Sequence, residues 1–234
     1  MIYLVTLNQE LFDNDAYKII SVDESLHLLS KYNMLQADSE TDGRDAHINK
    51  LLLFQLGSID KDFQIVIDCT TIDIKIYKNI LESCWLIFQN GKFDLQFLYN
   101  YNIIPRKIYD TMIVEQLLYL GYSPEYKDCL NGISYGLQDI LKRRFNIYID
   151  KTIRGQIQWR GIDTEVIKYA ASDVIYLYDI LKSQIKECKE KECLKGAKLE
   201  CDFVPVMAYL EWCGIHLDID KWKLKMAKDK INLN

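Results

Sequence analysis

Apolar residues follow two rhythms, and these divide the chain. The first half carries short runs with strand spacing. Tyr3 to Leu7 alternates weakly and is rich in β-formers, and Met34 to Glu40 reads as a strand ending in acids. Leu51 to Ile59, Gln64 to Cys69 and Trp85-Leu86-Ile87-Phe88 are apolar runs, which predicts buried strands. Helices are expected between them. Ser21-Val22-Asp23-Glu24 is a capping box that opens one through Leu26, Leu28 and Leu29. Ile72 to Ser83 and Phe93 to Tyr101 fit two more. Beyond that, helical periodicity dominates, over Asp110 to Leu120, Ser134 to Phe145 and Asp163 to roughly Glu192. Gly121 to Gly132 is rich in turn formers and reads as a loop. The pattern predicts an α/β fold, a mixed sheet of roughly five strands flanked by helices and followed by a helical C-terminal extension.

The chain's 234 residues suffice for one sizeable domain, or for one domain and part of a second. The Lys/Glu-rich stretch Lys186 to Lys195 is a candidate boundary, and reads equally well as a solvated helix end. No apolar run is long enough to span a bilayer, and the N-terminus lacks the basic and apolar regions of a secretory signal. A cytoplasmic location and no membrane partner are therefore the default expectation. Seven cysteines and three histidines show no zinc-ligand spacing, so the cysteines read as reduced thiols. The net charge of −5 argues against a protein that coats duplexes through a basic surface. It leaves open an enzyme that grips a few terminal nucleotides through bound cations.

Three separated segments carry candidate chemistry. In Asp38-Ser39-Glu40, residues two apart on a strand share a face, so two carboxylates lie side by side. They repel unless a cation sits between them, and the all-oxygen donor set suits Mg2+ or Mn2+. Alone, the segment reads as a strand end with solvated acids. Asn90-Gly91-Lys92-Phe93-Asp94 follows an apolar strand and opens a helix, with Asn90 as its cap and Asp94 in the favourable first turn. Alone, it is a helix start. In Tyr169-Ala170-Ala171-Ser172-Asp173, positions four apart share a helical face, so a phenol and a carboxylate point into one space. Alone, it is an amphipathic helix with a buried tyrosine.

In order, D-x-E, N-x-x-x-D and Y-x-x-x-D resemble the motifs of the DEDD exonuclease superfamily, in its tyrosine-containing subgroup. The stretch from Leu86 to Asp94 is similar to the second exonuclease motif of family A DNA polymerases. Asp110-Thr111-Met112 follows it as in that family, and Leu137 to Ile140 and Asp150-Lys151 with Trp159 resemble the linker before the third motif. Glu211 to Asp218 looks like the segment that opens a polymerase portion. The resemblance implies a ribonuclease H-like sheet with two divalent ions, Mg2+ or Mn2+, as cofactors. Asp38 would bridge both, Glu40 and Asp173 would complete the shell of the first ion, and Asp94 would hold the second ion through water. Tyr169 would orient the attacking water, since its ordinary pKa of about 10 makes it a poor base at neutral pH.

Residues 1–192 would then be a 3′–5′ exonuclease domain. Residues 193–234 would be a helical segment resembling the truncated start of a polymerase domain in the same parent chain. The substrate implied is a single-stranded or frayed DNA 3′ end, cut to nucleoside 5′-monophosphates as a proofreader does. Arg44 stands where the family usually places an apolar wedge for the terminal base, and it could stack on a base or grip a phosphate. Asn90 and Phe93, with Arg44, are the candidate substrate contacts; Tyr122 and Tyr126 are further stacking candidates, and Asp110 a supporting residue. Two alternatives stand beside this one: a freestanding RNase D-type exoribonuclease, and a catalytically silent DNA-binding or scaffold domain of a polymerase.

Overall fold

The apolar runs do become a sheet. In a computed structural model describing residues 1–120, 133–149, 153 and 156–232, the strands are β1 (Ile2–Val5), β2 (Lys18–Ile19), β3 (Met34–Thr41), β4 (Leu51–Ser58), β5 (Gln64–Asp68), β6 (Trp85–Phe88) and β7 (Ile108–Asp110). They form one sheet in the order β2-β1-β5-β4-β3-β6-β7. β4 is antiparallel to β3 and β5, and the remaining pairs are parallel. The expected five strands are the long ones. The two additions are edge strands of two and three residues, too short to show a period. The turn-rich stretch Gly121 to Gly132, with Tyr122 and Tyr126, and the pair Asp150-Lys151 lie outside the described residues.

The helices are α1 (Val22–Leu29), α2 (Lys78–Ser83), α3 (Gly91–Tyr99), α4 (Thr111–Leu118), α5 (Leu137–Phe145), α6 (Ile157–Arg160), α7 (Thr164–Asp173), α8 (Leu177–Glu190), α9 (Leu194–Cys213) and α10 (Ile219–Asn232). The capping box at Ser21 forms as read, with Glu24 N–H donating to Ser21 Oγ and Ser21 N–H donating to Glu24 Oε2. The helix expected from Ile72 begins as a 3-10 turn, Ile74–Tyr77, capped by Asp73. The long helix expected from Asp163 to Glu192 is broken at Val174–Tyr176 into α7 and α8. Gln36, buried in β3, causes the break to be stable: its Oε1 accepts from Tyr178 N–H at the start of α8, while its Nε2 donates to Ser58 O. A cap supplied from across the fold leaves no mark on local periodicity.

One face of the sheet packs Leu35, Ala37, Phe54, Leu56, Ile65 and Leu86 against α1 and α3. On the opposite face Leu4, Leu53 and Val66 meet Val166, Ile167, Ala170 and Ala171 of α7. The helical half is fastened by Glu115 of α4, fully buried, which accepts from Arg143 and Arg144 of α5 and Gln184 of α8. α9 lies along α3, α4 and β7, burying Ala197, Cys201, Val204 and Ala208 at helical spacing. Its end is tied down by Glu211 to Lys92 and Gln96, and by Trp212 Nε1–H to Asn100 Oδ1. No helix among the described residues is long and apolar enough to cross a membrane.

Candidate active site

Alternation along β3 sends Asp38 and Glu40 to the face covered by α7, and Ser39 to the other face. A register shift between Glu40 and Thr41 ends the regular pairing with β4 just beyond the acids. α7 begins at Asp163, whose carboxylate accepts from Val166 N–H at 2.9 Å. The small Ala170 and Ala171, both fully buried, let the helix lie close to the sheet. Its Tyr169 and Asp173, one turn apart, are thereby carried to the carboxylates of β3. Asp38, Glu40 and Asp173 can each present an oxygen within 4.8 Å of the other two.

The electrostatics follow from this crowding. Burial, then the charges of Asp94, Asp173 and Glu40, push the Asp38 carboxyl well above the usual range. The Tyr169 phenol is also pushed up, first by burial, then by the charges of Asp173 and Glu40 and a hydrogen bond with Asp173. At neutral pH it stays protonated and can orient a neighbour, but does not act as a base.

Asp94 reaches the site from the other side of β3. The turn that delivers it is Asn90-Gly91 between β6 and α3. Asn90 has φ of 65°, a left-handed conformation. A Cβ on Gly91 would stand 2.6 Å from Phe88 Cβ, so only glycine fits there. Asn90 occupies the N-cap position, but its side chain makes no capping bond. That expectation is corrected, because capping side chains act from extended backbone, and Asn90 is left-handed. The first-turn donors are taken instead by Asp110, at the end of β7. Its carboxylate accepts from Asn90 N–H at 3.2 Å and Gly91 N–H at 2.7 Å. It also caps α4 through Met112 N–H at 2.9 Å and Ile113 N–H at 3.2 Å.

Asp94 itself is buried, and Ser39 Oγ donates to its Oδ1 at 2.5 Å. Burial raises its carboxyl to about 8 against the pull of Ser39. Asp94 is close enough to raise Asp38, yet it stands outside the tight group of three. Ser39 was not among the residues singled out from sequence, and its position inside D-x-E was the only available hint. Of the candidate substrate contacts, Arg44 is exposed in the loop after β3. Phe93 is half-buried and tilted against Phe97 at a centroid distance of 5.1 Å.

Three converging carboxylates, with Asp38 raised by burial and by its neighbours' charges, form an all-oxygen donor set of the kind that hard divalent cations occupy. Neutralising such a cluster with Mg2+ or Mn2+ relieves that repulsion, so the residues present fit the group.

Comparison with known proteins identifies the family. A family model described as 3′–5′ exonuclease matches residues 17–188. DNA polymerase I of Aquifex aeolicus is 27% identical over 212 residues, which is 82% of this chain and 34% of that protein. The chain thus spans about a third of the length of this relative. Among solved structures, Brucella melitensis NrnC with bound Mg2+ superposes with a TM-score of 0.65 at 20% identity, covering 93% of this chain and 96% of that one. Escherichia coli RNase D, an exoribonuclease, superposes with a TM-score of 0.66 at 21% identity, covering 88% of this chain and 50% of that one.

Proposed function

The chain belongs to the 3′–5′ exonuclease family, and we propose that its acidic cleft hydrolyses single-stranded or frayed DNA 3′ ends to nucleoside 5′-monophosphates. The observation that carries this reading is the meeting of Asp38, Glu40 and Asp173 beside Tyr169, with Asp94 behind them. On this reading Asp38, Glu40, Asp173 and Asp94 would hold two divalent cations, Mg2+ or Mn2+. Bound there, the cations would supply an activated water and stabilise charge on the departing 3′ oxygen. Asp38 would contribute to both, Glu40 and Asp173 would complete the first, and Asp94, held by Ser39, would serve the second. Tyr169 donates its hydroxyl proton to orient the attacking group without surrendering it. Arg44 and Phe93 are the proposed contacts to the terminal nucleotide.

DNA is preferred as substrate because the sequence likeness over most of the chain is to a DNA polymerase, and Glu211 to Asp218 resembles the opening of its polymerase portion. On this reading the cleft proofreads for a family A polymerase domain. A second reading, the same cleft acting on RNA ends, draws support from the fold shared with RNase D across 88% of the chain.

The test is digestion of matched 5′-labelled DNA and RNA oligonucleotides with Mn2+ or Mg2+, by the wild type and by Asp38→Ala. Stepwise shortening of DNA from the 3′ end by wild type alone is the expected result. Equal digestion by both proteins defeats the assignment, and a strong preference for RNA transfers it to the second reading.

A further inference from the structure

β4 is buried without a break from Leu53 to Ser58, yet it carries Gln55 within that run. Gln55 is 0% exposed, and neither its amide nitrogen nor its amide oxygen has a hydrogen-bond partner. An apolar side chain of the same shape would carry no such desolvation cost, so a bare amide at this position needs a reason.

The strand register supplies one. Gln55 stands directly opposite Asp38 of β3 on one side and Val66 of β5 on the other. Directly opposed residues share a face, with Cβ atoms about 4.5–5.5 Å apart. Along β4 the neighbours on that face are Leu53 and Gly57. Leu53 and Val66 belong to the apolar cluster under Ala170 and Ala171. Gln36, diagonal to Gln55, already has both ends of its amide engaged, with Ser58 and Tyr178. Of the residues directly across from Gln55, Asp38 alone offers a charged acceptor.

We propose that Gln55 is a positioning residue of the acidic site: its amide nitrogen, without a partner in this structure, donates to one Asp38 carboxylate oxygen when a cation is bound, so that the other oxygen is presented to the cation. The inference rests on the cation-binding reading above and deepens it. A neutral amide suits the place. A glutamate would add a further negative charge beside a carboxylate already facing Asp94, Asp173 and Glu40, and a leucine could not orient it. The sequence signal was present but faint: one glutamine inside the apolar run from Leu51 to Ile59.

The experiment is Mn2+ titration by calorimetry of the full chain, alongside thermal melts in chelator, for wild type, Gln55→Leu, Gln55→Met and Asp38→Ala. Both Gln55 variants should melt in chelator at or above the wild-type temperature, since each removes an unsatisfied buried amide. Both should bind Mn2+ about 10-fold more weakly, the usual scale for losing a partner that orients a ligand. Wild-type Mn2+ affinity in whichever Gln55 variant folds, with Asp38→Ala impaired, overturns the role of Gln55 and leaves the site reading standing. Equal Mn2+ binding by wild type and Asp38→Ala overturns both.

Discussion

Asp110→Ala should damage fold and site together, and the cost can be worked from four hydrogen bonds. The Asp110 carboxylate is fully buried and accepts from the backbone N–H groups of Asn90, Gly91, Met112 and Ile113. Two of these are an ordinary helix cap on α4, worth about 1 kcal/mol. The other two are the turn into α3, where a stranded donor costs about 1–3 kcal/mol each. Relaxation makes these contributions overlap, so a loss of about 3–5 kcal/mol is expected. For a chain of this size that lowers the melting temperature by about 10 °C. Asp110→Asn keeps one acceptor and sets an NH2 against the remaining donors, and should fall between alanine and wild type. Urea unfolding at 25 °C followed by circular dichroism measures the change, with the slope held constant to show that the unfolded reference is the same. Because Asp94 follows Gly91 by three residues, cleavage by the folded fraction should drop as well. A loss below about 1 kcal/mol at unchanged slope would refute the account of Asp110 as a double cap.

Further outcomes follow from the same geometry. Tyr169→Phe should bind Mn2+ like wild type in calorimetry yet cleave more slowly, and more quickly than Asp38→Ala; a variant as inactive as Asp38→Ala would contradict an orienting role. Asp38 and Asp94 hold protons in the folded, cation-free protein that the unfolded chain releases near pH 4, because burial raises both, Asp94 to about 8. Their contribution to stability is therefore present at acid pH and lost as pH rises towards 8. Melts in chelator should fall between pH 5 and pH 8, added Mn2+ should remove the fall, and a rise across that window would refute the assignment. Glu115→Ala strands Arg144, whose side chain is 7% exposed, and should cost about 3 kcal/mol in urea unfolding without altering cleavage per folded molecule.

Much of this was legible from residue order because the determinants are local. Alternation fixed the shared face of Asp38 and Glu40, and one helical turn fixed that of Tyr169 and Asp173. The five long strands announce themselves as apolar runs. What sequence withheld acts across the fold. Asn90 reads as a cap by its type, but the capping comes from Asp110, twenty residues on along the next strand. The break between α7 and α8 is capped by Gln36 from the sheet. Ser39 holding Asp94 depends on which face of β3 meets α3, and a motif does not record that.

The fastening of α9 has a mechanical side. Glu211 grips Lys92 and Gln96 on the helix that carries Asp94. One residue on, Trp212 donates its indole N–H to Asn100, stacks on His47 at 5.6 Å, and through its backbone oxygen accepts from the His47 ring at Nε2, 2.7 Å away. His47 belongs to the loop that bears Arg44. Strain applied at the tail of this helix would thus reach α3 and the loop of His47 at once, making Glu211 and Trp212 the points through which a load on α9 could shift Asp94 and Arg44 together.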